Sequence, residues 1–295
     1  MEMSIIGPAE RERLRTILDR DLVADVRLLL FVQPPSGLFV PGREEPQTGR
    51  QTRLLLEELA GLSPRLHLEV HNPRGEPELA RRYGVERSPA LLIRPWPEGA
   101  DGADGADGAD GADGADGADG ADGADGADGA EGEEAAAPGD PAGPAPTGGE
   151  VRFFGLPSGY EFATILEDIA DVSRRRTRLS DATRARLAGL TEPLHVQVFV
   201  TPTCPHCPSV ARLAHQLAME SPAVTADVIE ANEFPALSAE FAVQAVPKTV
   251  VSGAGGTVEF LGALPEARFV EEVWRAVPAG GGEGPAGPAG EGGRR

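Results

Sequence analysis

An internal repeat is the feature that most restricts what this 295-residue chain can fold into. Two apolar segments each lead into a proline, Pro34 and Pro202, which lie 168 positions apart. Further along, Pro89 and Pro247 lie 158 positions apart, and each is followed by another extended apolar run. Two copies of a strand–helix–strand–helix–strand–strand–helix unit account for this spacing better than one large domain does.

The repeat predicts an α/β protein made of two tandem units, each with a mixed central sheet flanked by helices. The first unit spans residues 1–178, the second spans residues 179–277, and residues 278–295 are expected to form a disordered tail. The helix that closes the first unit is predicted to begin with a capping box of Ser158 and Glu161. An extra helix is expected before each copy, over residues 8–22 and 180–190.

The two copies differ in length at one place. From Pro247 to Gly262 is 15 residues, whereas the matching interval from Pro89 to Gly155 is 66 residues. The excess of 51 residues equals the length of residues 99–149, which are mostly Ala-Asp-Gly repeats. This tract is therefore an insertion in the hairpin that joins the last two strands of the first unit. Its like charges and lack of large apolar side chains predict a disordered loop.

The formal net charge of −20 is concentrated in this insertion. Residues 98–150 contain 16 of the 47 acidic residues and no Lys or Arg, which leaves 31 acidic against 27 basic residues elsewhere. The remainder is close to neutral, so neither a nucleic-acid surface nor an anionic-membrane surface is expected. The chain also lacks an apolar run of 18 residues and a signal-peptide core, which favours a cytoplasmic protein.

The only two cysteines, Cys204 and Cys207, form a C-x-x-C between an apolar strand over residues 194–200 and an amphipathic helix. Strand, C-x-x-C and helix together are typical of a dithiol that exchanges disulfides. Pro205 suits the first helical position, where free backbone N–H groups and the helix dipole stabilise a thiolate at Cys204. A protonated His206 adds a second positive charge. Cys207, one turn further on, would resolve a mixed disulfide.

Two other interpretations of the cysteine pair stay open at this point. As half of a zinc site, the pair would need two more ligands, and the nearest spare histidine, His215, lies a turn or more along the helix. As a structural staple, a bridge across so short a loop would constrain the unfolded chain very little. The first unit has Ser36 at the position equivalent to Cys204 and cannot perform dithiol chemistry.

Three segments carry a resemblance to a known family: Thr-Pro-Thr-Cys-Pro-His-Cys-Pro at 201–208, Ala-Val-Pro-Lys-Thr at 245–249, and the segment at 153–162 that begins Phe-Phe-Gly-Leu-Pro. They resemble the protein disulfide oxidoreductases built from two fused thioredoxin-fold units. That family is related to glutaredoxin-like proteins and to the N-terminal domain of the alkyl hydroperoxide reductase flavoprotein. The resemblance covers most of residues 8–277, without the insertion and the tail.

The resemblance implies a role for each residue of the second unit's site. Cys204 would be the attacking thiol, Cys207 the resolving thiol, and Pro247 a cis-proline that faces them. The Val246 backbone would pair with an extended substrate, and Thr203 is assigned to the same substrate surface. Thioredoxins keep a buried aspartate six residues before the first cysteine, but Val198 stands there, so no proton acceptor for Cys207 is assigned.

These features together predict a cytoplasmic thiol–disulfide oxidoreductase that takes part in redox homeostasis and needs no cofactor other than its own disulfide. Its expected partners are protein substrates that contain disulfides, a flavoprotein like thioredoxin reductase and a peroxiredoxin. Reduction of substrates or electron relay is favoured over oxidation. The alternative is a redox-sensing scaffold, in which the cysteine-free first unit and the acidic tract recruit a partner.

Overall fold

The computed structural model of the chain describes residues 5–34, 47–97 and 151–278. The strands within these residues are β1 (Val26–Phe31), β2 (Leu66–His71), β3 (Ala90–Pro95), β4 (Val151–Phe154), β5 (Leu194–Val200), β6 (Val224–Glu230), β7 (Lys248–Gly253) and β8 (Gly256–Leu261). The helices are α1 (Pro8–Asp21), α2 (Gln47–Ala60), α3 (Pro77–Arg82), α4 (Tyr160–Arg174), α5 (Asp181–Ala188), α6 (Cys207–Glu220), α7 (Pro235–Glu240) and α8 (Glu266–Trp274).

The order of these elements confirms the predicted repeat, because β1-α2-β2-α3-β3-β4-α4 is followed by β5-α6-β6-α7-β7-β8-α8. The two short helices α3 and α7 show how closely the copies agree. Each begins with a proline at its first turn, Pro77 and Pro235, where the missing N–H is not needed. Soon after each helix ends, the chain passes through a left-handed residue, Gly84 with φ 63° and Ala242 with φ 46°.

All eight strands belong to one mixed sheet, in the order β2-β1-β3-β4-β6-β5-β7-β8. Each half contributes four neighbouring strands in the same internal order. The two halves are joined where β4 pairs in parallel with β6, from Val151 opposite Ala226 to Phe154 opposite Ile229. The sequence patterns do not predict this joining pair. Because the sheet continues across both halves, the predicted unit boundary at residue 178 stays a prediction.

Both faces of the sheet are covered by apolar side chains. Along β1, Leu28 and Leu30 join the larger core cluster, which also holds the buried faces of α4 and α6. The alternate residues Leu29 and Phe31 join a second cluster on the other face, with contributions from α3 and α7. The strand residues are apolar in continuous runs for this reason, as expected for strands covered on both sides.

The direction of the strands brings one edge of the sheet to the cysteine pair. β4, β5 and β6 are mutually parallel, so their carboxyl ends lie along the same edge. β7 is antiparallel to β5, with Phe199 opposite Lys248, so it begins where β5 ends. The segments before β7 and after β5 are therefore neighbours, although 46 positions separate Val200 from Val246.

Several predicted features lie outside the described residues. The acidic tract, Ser36 and the tail from residue 279 onward are among them. β3 and β4, which flank the tract, are antiparallel neighbours with Ile93 opposite Val151, as the hairpin interpretation predicts. None of the described helices is long and apolar enough to cross a membrane.

Removal of residues 99–149 tests the loop interpretation of the tract. Joining residue 98 directly to residue 150 leaves a six-residue connection, 94–98 and 150, between Ile93 and Val151. If the tract is an unstructured loop, this shortening should stabilise the fold by about 2 kcal/mol, because the entropic cost of loop closure grows with the logarithm of loop length. Urea titration measures the difference. A Gly-Ser tract of the same length is the matched control and should unfold like the natural chain, whereas a destabilised deletion variant would contradict the loop interpretation.

Candidate active site

The cysteine pair lies on the loop between β5 and α6, as predicted. Cys204 and Cys207 form a disulfide, and their Cα atoms are 5.5 Å apart. Cys204 keeps 9% of its surface exposed, whereas Cys207 is 0% exposed and belongs to the core cluster. The pair therefore offers only its first sulfur to a partner.

The start of α6 corrects one sequence prediction. The sequence pattern puts Pro205 at the first helical position, but the helix begins two residues later, at Cys207. The reason is Pro208, which has no N–H to donate to the Cys204 carbonyl and so removes the first α-helical hydrogen bond. The Cys207 N–H donates instead to the Cys204 carbonyl at 3.4 Å, which closes a turn. Pro205 and His206 lie in this turn, just before the helix proper.

The exposed residues of the loop surround Cys204. Thr203, Pro205 and His206 all face solvent. The Cys204 N–H donates to the Thr201 carbonyl at 3.1 Å, which holds the loop against the end of β5. These three side chains are therefore available to a partner that approaches Cys204.

The segment before β7 completes the site. The bond between Val246 and Pro247 is cis, as expected. The Val246 carbonyl oxygen lies 3.8 Å from the Cys204 Sγ, and Val246 itself is half-buried. Pro247 is buried behind it, and the Lys248 ammonium is engaged by Glu259 at 2.8 Å. An extended chain segment placed along Val246 would thus lie beside Cys204.

The first half has the same backbone arrangement without the chemistry. Its Ser88–Pro89 bond is also cis, and the Ser88 hydroxyl donates to the Phe31 carbonyl at 3.3 Å. No cysteine exists there to use this geometry.

The last helix of the first half contacts the redox loop directly. The Tyr160 N–H at the start of α4 donates to the Pro202 carbonyl at 3.0 Å. Gly159 precedes it at φ 61°, and a Cβ at this position would stand 2.2 Å from the Pro202 oxygen. Only glycine fits both the left-handed backbone and this close approach. The first turn of α4 and the first turn of α6 consequently meet at the same loop.

Glu161 in this first turn corrects a second prediction. It does not form a capping box with Ser158, because the helix begins at Tyr160 with Gly159 as its cap. The Glu161 side chain points inward and is 1% exposed. The Thr164 hydroxyl donates to its Oε2 at 2.9 Å, while its Oε1 has no hydrogen-bond partner among the residues that the structure describes.

Burial makes the Glu161 carboxyl group a weaker acid than an exposed glutamate. Desolvation raises the pKa of its carboxyl group to about 7, partly offset by the hydrogen bond from Thr164. Such a carboxyl group can gain and lose a proton near neutral pH. The sequence carries a signal for it: Glu161 shares the buried stripe of α4 with Ile165, Asp168 and Val172, at spacings of three and four. The capping interpretation overlooks that signal.

The zinc interpretation conflicts with the position of His215. Its Nδ1 lies 2.6 Å from Asp168, and its Nε2 lies 3.2 Å from the Arg152 carbonyl. Both ring nitrogens are thus engaged away from the cysteines. Among the described residues, no group of three or more His, Cys, Asp and Glu side chains could hold a metal ion.

Comparison with known proteins agrees with this geometry. The family model of the thioredoxin domain matches residues 194–275, which include the cysteine loop and the cis-proline. A thioredoxin from Methanocaldococcus jannaschii is 37% identical over 79 residues, which cover 26% of this chain and 89% of the relative. The chain belongs to the thioredoxin family. The chain performs thiol–disulfide exchange, and its only two cysteines, Cys204 and Cys207, form a disulfide.

Two further similarities concern proteins larger than a single thioredoxin unit. An alkyl hydroperoxide reductase component in Staphylococcus epidermidis is 29% identical over 103 residues, 35% of this chain but only 20% of the relative's length. A protein disulfide oxidoreductase from Aeropyrum pernix shares the fold over 91% of this chain and 92% of its own, with TM-score 0.64 and 22% identity. The cysteine-free half is therefore part of a tandem thioredoxin fold.

The buried carboxyl group makes stability depend on pH. A folded-state pKa of about 7, against an ordinary value of 4.5, means that the folded protein holds the Glu161 proton more tightly. Stability should therefore fall as pH rises from about 4.5 to about 7. Glu161→Gln should remove this loss, and at pH 8 it should exceed the natural protein by on the order of 3 kcal/mol.

Denaturant titrations at pH 5 and pH 8 measure this effect. Glu167→Gln on the same helix is the control, because the Glu167 side chain is half exposed and its loss should leave the pH dependence in place. Parallel pH dependences of the natural protein and Glu161→Gln would contradict the assignment of Glu161 as the buried titrating group.

Proposed function

We propose that this thiol–disulfide oxidoreductase works mainly as a reductase of protein disulfides or as an electron relay between redox proteins. The observation that carries the proposal is the asymmetry of the cysteine pair: Cys204 reaches the surface beside Val246, and Cys207 is buried behind it. An attacking cysteine that keeps a small exposed area, with a resolving cysteine fully buried behind it, suits two-step exchange with a large partner.

The first step joins enzyme and substrate. In the reduced protein, the Cys204 thiolate attacks one sulfur of the substrate disulfide, the substrate S–S bond breaks, and one substrate thiolate leaves. The attacked sulfur becomes bonded to the Cys204 sulfur. His206, exposed in the turn after Cys204, and the nearby helix start favour the thiolate form of Cys204.

The second step releases the substrate. Cys207 must lose its proton before its sulfur attacks the Cys204 sulfur and expels the second substrate thiolate. We assign the acceptor of this proton to Glu161. Its carboxyl group lies in the first turn of α4, which meets the loop that carries the cysteines, and it is buried like Cys207. Two electrons pass from the dithiol to the substrate, and the disulfide needs no further cofactor to carry them.

The substrate surface is proposed around Cys204. A substrate segment in extended conformation would pair with the Val246 backbone and place its disulfide at the sulfur. The cis bond to Pro247 turns the chain so that the Val246 carbonyl faces the site. Thr203, Pro205 and His206 would then flank the segment.

The similarity to the alkyl hydroperoxide reductase component supports a proposal for the partners. The match covers only 20% of that relative. We therefore propose that electrons come from outside the matched residues, from a flavoprotein of the class that reduces thioredoxin. The acceptor would be a peroxidase that forms a disulfide in its catalytic cycle. We place the reaction in the cytosol, where thiols are kept reduced and where exchange runs toward substrate reduction.

The two cysteines should behave differently when each is replaced by serine. Cys207→Ser keeps an attacking Cys204 but cannot resolve, so it should accumulate covalent complexes with substrate proteins. Cys204→Ser should trap nothing, because Cys207 is 0% exposed. Non-reducing gels after incubation with cell extract, followed by mass spectrometry of the trapped cysteine, measure the difference.

The double variant with both cysteines replaced serves as the control and should form no covalent complexes that a reductant cleaves. Equal trapping by the two single variants would overturn the assignment of roles. One equivalent of tightly bound zinc in the natural protein, lost in both variants, would support the metal site instead of the exchange reaction.

A further inference from the structure

In the core, each ring nitrogen of His215 lies at hydrogen-bond distance from an oxygen atom, so both nitrogens should carry a proton to donate. Its Nδ1 lies 2.6 Å from an Asp168 carboxylate oxygen and its Nε2 lies 3.2 Å from the Arg152 carbonyl oxygen. The carbonyl oxygen only accepts hydrogen bonds, and so does the Asp168 carboxylate, whose other oxygen accepts from the Arg212 guanidinium at 2.9 Å. A neutral imidazole has a single N–H, whereas the imidazolium has two. The side chains of His215 and Asp168 are both 0% exposed, so water does not take either place.

A neutral ring would leave one of these contacts between two acceptors. Inside the core, an unmade hydrogen bond costs more than it would at the surface, because no solvent replaces it. The contact pattern therefore favours a positively charged ring held by the Asp168 carboxylate.

The same two helices carry further charges that face this ring. The Arg212 guanidinium donates to Asp168 at 2.9 Å and to Asp171 at 2.6 Å. The half-exposed Glu167 approaches Arg212 at 3.1 Å and Arg178 at 3.7 Å.

On the neighbouring strands, the Arg152 guanidinium and Asp227 pair with each other at 2.6 Å. Their side chains lie on the other face of the sheet, because Phe154 and Ile229, two positions further along each strand, belong to the second core cluster.

The balance of these charges singles out Glu161. With a charged His215, the two cations Arg212 and His215 match the two buried carboxylates of Asp168 and Asp171. Glu161 is then the buried carboxyl group on this helix face without a counter-charge of its own. The positive ring lowers the pKa of Glu161 and the Asp168 carboxylate raises it, after the larger effect of burial.

The register of the helices explains how the ring can act at the site. α4 and α6 both begin at the cysteine loop and lie side by side. Asp168 is seven positions after Glu161, and His215 is eight positions after Cys207. At a rise of about 1.5 Å per residue, the Asp168–His215 pair lies two turns below the level of Glu161 and Cys207 on their facing sides.

We propose that the His215 imidazolium, fixed by Asp168 and the Arg152 carbonyl, is a positioning residue that sets the pH at which Glu161 accepts the Cys207 proton. This inference rests on the proposed function, which assigns Glu161 as that acceptor. Loss of the positive ring leaves the Asp168 carboxylate less compensated, so Glu161 keeps its proton to higher pH. Resolution of mixed disulfides then requires more alkaline conditions.

His215→Gln tests the proposal, because glutamine can still donate a hydrogen bond but carries no charge. Two quantities are measured in the reduced protein: the titration midpoint of the Glu161 carboxyl carbon by NMR, and the pH profile of mixed-disulfide resolution. Both should move upward by roughly one pH unit. His195→Gln is the matched control, since His195 also bonds a buried aspartate, Asp227 at 2.7 Å, on the other face of the sheet. It should leave both midpoints unchanged.

NMR of the natural protein keeps the test valid if His215→Gln does not fold. Nitrogen shifts of the His215 ring should show protons on both nitrogens at pH 7, and a single-proton ring would overturn the proposal. An unchanged Glu161 midpoint in a folded His215→Gln variant would also overturn it. A different result would show that Glu161 is not the proton acceptor. In that case Glu161→Gln would resolve mixed disulfides with the same pH profile as the natural protein, and the proposed function would need another acceptor.

Discussion

Contact between α4 and α6 is the interaction on which the site depends. α4 closes the half without cysteines and α6 carries Cys207, and they are held together by ion pairs from Arg212 to Asp168 and Asp171. These groups are buried, so the pairs matter chiefly because removal of any one member would leave a charge uncompensated. Parallel pairing of β4 with β6 sets the two helices side by side on one face of the sheet.

Under the proposed function, this contact gives the cysteine-free half a chemical role. The second half has Val198 where thioredoxins have a buried aspartate. Glu161 comes from the first half and lies in the first turn of α4, which begins against the Pro202 carbonyl because Gly159 allows the close approach. Under the proposed function, the half without cysteines would supply the acceptor for the Cys207 proton.

Much of the fold follows from local sequence patterns. β5 has the predicted bounds, the order of elements in both halves is as expected, and the bond before Pro247 is cis as the resemblance implies. These features depend on periodicity, proline and glycine signals that act over a few residues. Pairing of β4 with β6 joins strands 73 positions apart at their first residues, and no pattern within either strand specifies the neighbour.

The errors at the site have similar causes. Pro205 and Pro208 are both compatible with a helix start, and only the lost hydrogen bond at Pro208 decides between them. Glu161 satisfies the capping-box spacing from Ser158, yet it also lies on the buried stripe of α4. Burial of the Glu161 side chain prevails over the local cap, which sequence spacing alone does not reveal.

Reduction of insulin by dithiothreitol tests the central claim most directly, since the reaction needs the Cys204–Cys207 pair to turn over with a protein substrate. We predict that the natural protein accelerates the reaction, and that Cys204→Ser returns it to the rate of dithiothreitol alone. A natural protein with no acceleration, while its disulfide is still reduced and reoxidised, would contradict the enzyme assignment and favour the redox-sensing scaffold.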